Sequence, residues 1–439
     1  MATLRQLLAA VLWSTAAAAT PATSADLLAW NSATPDGGWA RFAPRPALAP
    51  GFAIESAASP RLRLLGGGRP YVFGGWRRGV PVEAGRSYRF RALATATNAT
   101  RLQREVLCQA RWLGPEVAED VAPEYVADRL GPDSATLACD DVLTAPAGAA
   151  SVEISLLLQW APEATVAFSS VSLVPAEPPP VRAVRVATLY WRPSARSTPA
   201  ANVDALAALI DRVAPSRPDV VLLSEAITSI GTGLNVAEAA QDPRGPAFQA
   251  LSAKARQHHA YVVYGAYEKA GDVVYNSAFV VGRDGSLTAT YRKVQLPVGE
   301  VEAGLSPGDA YAPLDLDFGR VGLLICHDTA FDEPARLLTL AGAEMLLAPA
   351  WGGDLTQIRA RAMDNGVWVV TAGYDVPSAI IDPAGGVRAQ TWKGQGDGTA
   401  VHVVELGRKV RRPWVGDWHA AVLKQRRPET YRGLLEDPR

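Results

Sequence analysis

Residues 26–174 carry short apolar or alternating runs, broken by glycine and proline, and no long amphipathic helix stands out among them. The runs are Pro70–Phe73, Arg86–Arg91, Glu105–Trp112, Ala150–Leu158 and Thr165–Leu173. Alternation puts every second side chain on one face of a strand, and turn residues between such runs predict an antiparallel β-sandwich. Beyond the proline-rich run Val174–Pro180 the texture changes. Val184–Tyr190 reads as a strand, and Ala200–Val213 places apolar residues at helical spacing. An apolar run then ends at Glu225, followed by a helical pattern over Ala247–His258 and strands at Tyr261–Tyr267, Ser277–Val281 and Leu287–Tyr291. The apolar run Val321–Ile325, a helix at Glu333–Ala343 and a strand at Glu344–Leu347 come next. Strands alternating with helices predict an α/β domain, and the interposed hairpin makes its sheets mixed.

Four segments follow from this pattern: an export signal over 1–25, a β-sandwich over 26–174, a stiff proline-rich linker over 175–183 and the α/β domain over 184–439. The first segment has a single basic residue, Arg5, then an apolar stretch from Leu7 into Ala16–Ala19, then small residues suited to cleavage before Asp26. That stretch is too short to span a bilayer, so a cleaved signal and an exported protein (periplasmic, secreted or surface-associated) are expected. The 439 residues leave room for two full cores, and the formal net charge of −1 gives no reason to expect nucleic acid as a partner.

Three residues stand where strand patterns stop. Cys326 ends the run Val321–Ile325 at a turn into a helix, where backbone N–H groups favour the thiolate. Glu225 ends Asp219–Ser224, and Lys293 follows Leu287–Arg292. Reactive groups gather beyond the carboxyl ends of neighbouring strands in α/β sheets, so the three are expected in one pocket. Amide hydrolysis needs a nucleophile, a proton carrier and a group to hold the oxyanion. Cys326, Glu225 and Lys293 supply these in turn, with the backbone N–H of His327 as a second oxyanion donor. The adjacent Cys326-His327-Asp328 is not read as a triad, because successive residues at a turn point apart. Neither His258, His259, His402 nor His419 is supported as a distant base by a second motif. The five histidines show no zinc spacing, and no metal or other cofactor is expected.

Glu225 in LLSEA, Lys293 in YRKVQLP and Cys326 in GLLICHDTAFDE resemble the Glu, Lys and Cys of the nitrilase superfamily, the carbon–nitrogen hydrolases. LAPAWGG (347–353), RARAMDN (359–365), SAIIDPAGGV (378–387) and RRPETY (426–431) follow in the family's order. The resemblance implies a four-layer α-β-β-α sandwich, assembly into at least a dimer, and hydrolysis of non-peptide carbon–nitrogen bonds through a cysteine thioester. It also implies a small-molecule amide or related substrate whose nitrogen is positioned by Glu300. Asp328, Phe331, Glu333 and Arg336 match as supports of the cysteine loop, and Arg361 as a structural ion-pairing residue. Two other readings share these residues: an amide-forming N-acyltransferase, or a glycan-binding protein whose hydrolase domain is silent.

The segment Val80–Phe90 and the closing pair of strands resemble the jelly-roll domains of carbohydrate-binding modules. Polysaccharide is the partner this implies, with Trp39, Trp76 and Trp112 as sugar-stacking platforms set against a plain core role. In an exported protein Cys108 and Cys139 have the choice of a disulfide or of two small apolar side chains, which sequence separation does not decide.

Overall fold

The computed structural model describes residues 25–435 apart from 35, 56–59, 116, 118–121, 395 and 413. The export signal expected over 1–25 lies, except for Ala25, outside the described residues. The chain divides into two compact units, one within 1–108, 112–117 and 126–178, the other within 109–111, 118–125 and 179–439.

The first unit is built on two sheets. One has the strand order Ala40–Phe42, Phe73–Pro81, Ser151–Gln159, Val106–Leu113. The other runs Gly51–Glu55, Arg61–Leu65, Thr165–Ala176, Ser87–Thr97, Thr136–Thr144, Asp128–Leu130, with antiparallel pairing between neighbours. Apolar residues of the alternating runs face inward, as Tyr88, Phe90, Ala92, Ala94 and Ala96 show on one strand. Trp39, Trp76 and Trp112 are 4%, 0% and 4% exposed, which corrects the stacking-platform reading. Trp76 meets Phe52 of the opposite sheet edge-on at 5.2 Å, and its indole N–H donates to the Arg63 carbonyl at 3.1 Å. The largest apolar side chains fill the space between two facing sheets, so they offer no free ring face to a sugar. Cys108 and Cys139, one from each sheet, are buried with their sulfurs 2.7 Å apart.

The linker is shorter than expected. One strand continues through Pro175 to Ala176 and the next begins at Arg182. Beyond Phe168 that strand pairs only with Ser87–Thr97, so the missing N–H of Pro175 leaves no ladder bond unmade on its open side.

The second unit begins with β1 (Arg182–Leu189), α1 (Pro199–Val213), β2 (Val220–Leu222), α2 (Pro246–His258), β3 (Tyr261–Ala270), β4 (Val273–Val281) and β5 (Leu287–Arg292). It continues with β6 (Leu314–Leu316), β7 (Gly319–Leu323), α3 (Glu333–Leu340), β8 (Met345–Pro349), α4 (Leu355–Asn365), β9 (Trp368–Ala372), β10 (Ser378–Ile381), β11 (Val387–Thr391) and β12 (Thr399–Leu406). The first sheet has the order β5-β4-β3-β2-β1-β12 and the second β6-β7-β8-β9-β10-β11. Both are mixed: β1, β2 and β3 run parallel, as do β7, β8 and β9, and antiparallel strands flank each trio.

Three apolar clusters define the layers. Val186, Leu222, Val263 and Val280 of the first sheet pack with Leu323, Leu347, Val370 and Ile380 of the second, forming the central core. On the outer face of the first sheet, Val203, Leu206, Ile210 and Val213 of α1 and Leu251 and Ala255 of α2 cover Ala187, Val221 and Val262. Leu338 of α3 and Ile358 and Ala362 of α4 cover Leu346 and Val369 on the second. The unit is therefore an α-β-β-α sandwich. The strands are apolar on both faces because each sheet is buried from both sides. Helix ends follow local chemistry: Thr198 caps α1 by accepting from the Ala201 N–H ahead of Pro199, and Gly366 ends α4 with φ of 65°.

Candidate active site

Glu225, Lys293 and Cys326 follow β2, β5 and β7, each just past a strand's carboxyl end, and they converge. The ammonium of Lys293 donates to Glu225 Oε1 at 3.0 Å and to Glu300 Oε1 at 2.7 Å. Lys293 and Glu225 are each 1% exposed, and Glu300 is half-buried. Burial alone disfavours the ammonium, but the charges of Glu225, Cys326 and Glu300 outweigh it and hold the Lys293 pKa above the ordinary lysine value. Burial pushes the Glu300 carboxyl up, with Lys293 pulling against it.

The position of Glu225 is set by its neighbours. Gly265 of β3 donates its N–H to the Ser224 carbonyl, and a Cβ placed on Gly265 would lie 2.7 Å from Glu225 Cα. A side chain there would displace the backbone that carries the carboxylate, so the strand needs glycine. Ala226 turns the chain with φ of 48°, and the buried Tyr374 hydroxyl donates to the Glu225 carbonyl at 2.8 Å.

Cys326 is itself in the left-handed region, with φ of 42°. Non-glycine residues hold that conformation only where surroundings enforce it, and such positions cluster at functional sites. Here the enforcement comes from Asp328, fully buried within the 3₁₀ turn Cys326–Ala330. Its carboxylate accepts from the Ile325 N–H at 2.9 Å, the Gln295 N–H at 2.9 Å and the Tyr291 hydroxyl at 2.7 Å. Arg361 of α4 holds the far end of the turn by donating to the Thr329 and Ala330 carbonyls at 3.1 and 3.2 Å. Arg361 therefore acts through backbone carbonyls; its ion pair with Asp364 is a looser 3.8 Å. His327 and Phe331 meet edge-on at 5.2 Å, and Arg336 donates to the Asp364 carbonyl.

The expected thiolate is corrected. Burial and then the charge of Glu225 push the Cys326 thiol up to about 12, against Lys293 and the backbone at Gly352 and Trp351, which lower it. The turn is a single 3₁₀ segment, and α3 starts only at Glu333, so no helix terminus abuts the sulfur strongly enough to offset burial beside a carboxylate. With the thiol neutral, Cys326 donates to the Gly352 carbonyl at 3.6 Å.

The constellation contains residues that sequence reading missed. Asn276 of β4, fully buried, donates to Glu225 Oε1 at 2.6 Å and to Glu300 Oε1 at 3.2 Å, bracing both carboxylates. An amide in the middle of the mostly apolar β4 was the available signal. Tyr374 had none, whereas Trp351 and Gly352, which contact the thiol, lie in the LAPAWGG segment. Three of the histidines lie elsewhere: His258 pairs with Asp211, His259 caps α2, and His402 packs on Trp368 at 5.8 Å. Trp368, Asp382, Arg388 and His402 line a cavity of about 540 Å³ that includes none of the residues around Cys326. No group of three or more His, Cys, Asp or Glu side chains suited to a metal ion occurs among the described residues.

A family model described as carbon-nitrogen hydrolase matches residues 184–414. The chain is 29% identical over 260 residues to a probable nitrilase of Schizosaccharomyces pombe, covering 53% of this chain and 92% of that protein. It is 33% identical over 190 residues to the omega-amidase NIT2 of Homo sapiens, covering 39% of this chain and 68% of that protein. The solved structure of Saccharomyces cerevisiae Nit3 aligns with a TM-score of 0.44 at 25% identity, over 51% of this chain and 90% of that one.

Proposed function

Because the chain belongs to the carbon–nitrogen hydrolase family, we propose that it cleaves small-molecule amides through a thioester on Cys326, with Glu225 and Lys293 completing the site. The observation that carries this reading is the buried Lys293 ammonium bridging Glu225 and Glu300 within the electrostatic reach of the Cys326 sulfur. A surface lysine has no reason to be buried between two carboxylates. One that must meet a developing oxyanion does.

In acylation the Cys326 sulfur attacks the amide carbon while its proton passes to Glu225, whose Oε2 is buried with no partner of its own. Negative charge moves to the carbonyl oxygen, where Lys293 and the His327 N–H hold it. Collapse of the tetrahedral adduct breaks the carbon–nitrogen bond, and the proton on Glu225 leaves with the amine or ammonia. A water then gives a proton to Glu225 and attacks the thioester, releasing the acid and restoring the thiol. A neutral resting thiol suits this sequence, since the base receives its proton only when substrate is present. The names of the relatives, an omega-amidase and a nitrilase, support amides and related compounds as the substrate class.

The test is intact-mass detection of an acyl-enzyme on Cys326 with a panel of amides, carbamoyl compounds and nitriles, followed by identification of the acceptor. Cys326→Ala is expected to lose both adduct and turnover while staying folded. Turnover by the pure, folded variant would sink the proposal. Export through residues 1–25 is part of the same reading, and sequencing the amino terminus of protein recovered outside the cytoplasm checks it.

A further inference from the structure

We infer that Cys108 and Cys139 form a stabilising disulfide that joins the two sheets of the first unit, closed by a disulfide oxidant while the chain folds and shielded from reductants afterwards. The inference goes beyond the hydrolase reading and does not depend on it.

Both cysteines stand at inward positions on strands of different sheets. On Val106–Leu113, Cys108 and Trp112 are buried, whereas Gln109 and Arg111 on the other face are partly exposed. On Thr136–Thr144, Leu137 and Cys139 are buried, and Ala138 and Asp140 are exposed. A bond between the two sulfurs therefore crosses the core from one sheet to the other. The sulfurs are 2.7 Å apart, which leaves only a small shift to a disulfide length of about 2.05 Å. Cys139 is registered with Ala92 on the neighbouring strand, so its lateral neighbour is small and leaves the bridge room. The backbones are held in place: the Val126 N–H donates to the Cys108 carbonyl at 3.0 Å, and the Asp140 N–H donates to the Ala127 carbonyl at 3.0 Å.

Two small apolar fillers have no reason to face each other across a sandwich. A bridge does, because 31 positions separate the cysteines and closing a loop of that length removes much of the unfolded chain's freedom. The third cysteine is engaged elsewhere. Cys326 belongs to the second unit, and its thiol donates to the Gly352 carbonyl. Burial beside Glu225 pushes that thiol up to about 12, so in the folded state at neutral pH it is a poor attacker of disulfides.

The oxidant is a small or protein disulfide. One cysteine thiolate attacks it, forming a mixed disulfide and releasing one oxidant thiol. The second cysteine thiolate then displaces the other oxidant thiol and makes the Cys108–Cys139 bond. Two electrons pass to the oxidant, and the two cysteine protons end on its two thiols. Both cysteines are 2% exposed, so neither an oxidant nor a reductant reaches them once the sheets have closed. The state of the pair is thus decided during folding and kept.

The full chain is unfolded, reduced, and refolded either with oxidised plus reduced glutathione or with reduced glutathione alone. Iodoacetamide is then added in denaturant without further reductant, and intact mass counts the modified cysteines. One modified cysteine is expected after oxidative refolding and three after reductive refolding, with Cys108 and Cys139 recovered in one cross-linked peptide. Three modified cysteines after oxidative refolding, or a bridge that includes Cys326, overturns the assignment. Oxidised glutathione given only after reductive refolding should leave all three cysteines open to modification. A bridge that closes as fast in the folded protein overturns closure during folding. The bridged form should melt about 5 °C or more above the reduced form. Cys108→Ala with Cys139→Ala should abolish that difference between the two refolding conditions. Equal melting of bridged and reduced wild type, or a difference that survives in the double variant, overturns the stabilising role. The cysteine count is made on the wild type, so it holds even if the double variant does not fold.

Discussion

Lys293 Nζ and Glu225 Oε1 lie 3.0 Å apart with both residues almost wholly out of water, although 68 positions separate them in the chain. One comes from the end of β5 and the other from the end of β2, strands that lie three places apart in the same sheet. A buried ion pair of this kind contributes little net stability, because desolvation consumes most of the attraction, whereas breaking it from one side is costly. Its place at the end of the sheet, beside a half-buried cysteine, fits the proposed chemistry better than a contribution to folding.

Lys293→Met should therefore cost about 3–5 kcal/mol of stability as well as activity, since Glu225 and Glu300 remain buried without their cation. With Lys293 gone, burial and the Glu225 charge act on Glu300 against Asn276 alone, and the folded state binds a proton more tightly than the unfolded state. Stability of the variant is then highest below the ordinary glutamate pKa and falls as pH rises through the raised folded value. Urea titrations of wild type and variant at a series of pH values measure this. A deficit that does not shrink on acidification would contradict it.

Glu225→Gln keeps the shape of the side chain but removes the carboxylate proposed as the base. Lys293 retains Glu300, so the fold should hold, while acyl-enzyme formation should slow by about 10²–10⁴-fold, the usual contribution of a general base. Single-turnover mass spectrometry on Cys326 reads this directly.

The protonation state of Cys326 is open to titration by alkylation. With the thiol pushed up to about 12, iodoacetamide should react slowly at neutral pH, and the rate should keep climbing through pH 9–11. The linkage sign is that of an acid whose folded pKa is raised. The folded state keeps a proton that the unfolded state loses above the ordinary thiol value, so this group's contribution to stability declines from about pH 9 to about pH 12. A rate that levels off near pH 7 would mean a resting thiolate instead.

Gly265→Ala tests the backbone support of the base. Its Cβ would fall 2.7 Å from Glu225 Cα, and overpacking of that sort costs about 1–3 kcal/mol. Because the contact is to the backbone of the base, kcat should drop more than Tm alone accounts for. A variant with lowered Tm and wild-type kcat would show that the glycine serves packing only.

Sequence by itself determined that Glu225, Lys293 and Cys326 stand at strand ends, and which elements carry them. The strands and helices of the second unit could be read because buried parallel strands must be continuously apolar and their covering helices must repeat at 3.6 residues, as Ala200–Val213 does. Glu225, Lys293 and Cys326 were legible because each interrupts such a run at its end. The first unit was less so. Arg61–Leu65 alternates charged and apolar residues and was still passed over, and the three tryptophans gave no sign of which way they faced. Burial depends on what lies across the sheet, and only the packed sandwich supplies that. The same holds within the site. A turn next to a helix reads as a thiolate in one dimension. In three dimensions the carboxylate of Glu225, brought from about a hundred residues away, and the loss of water around the sulfur reverse the sign. Tyr374 belongs to the same category, since a hydrogen bond between residues distant in the chain leaves no local pattern to read.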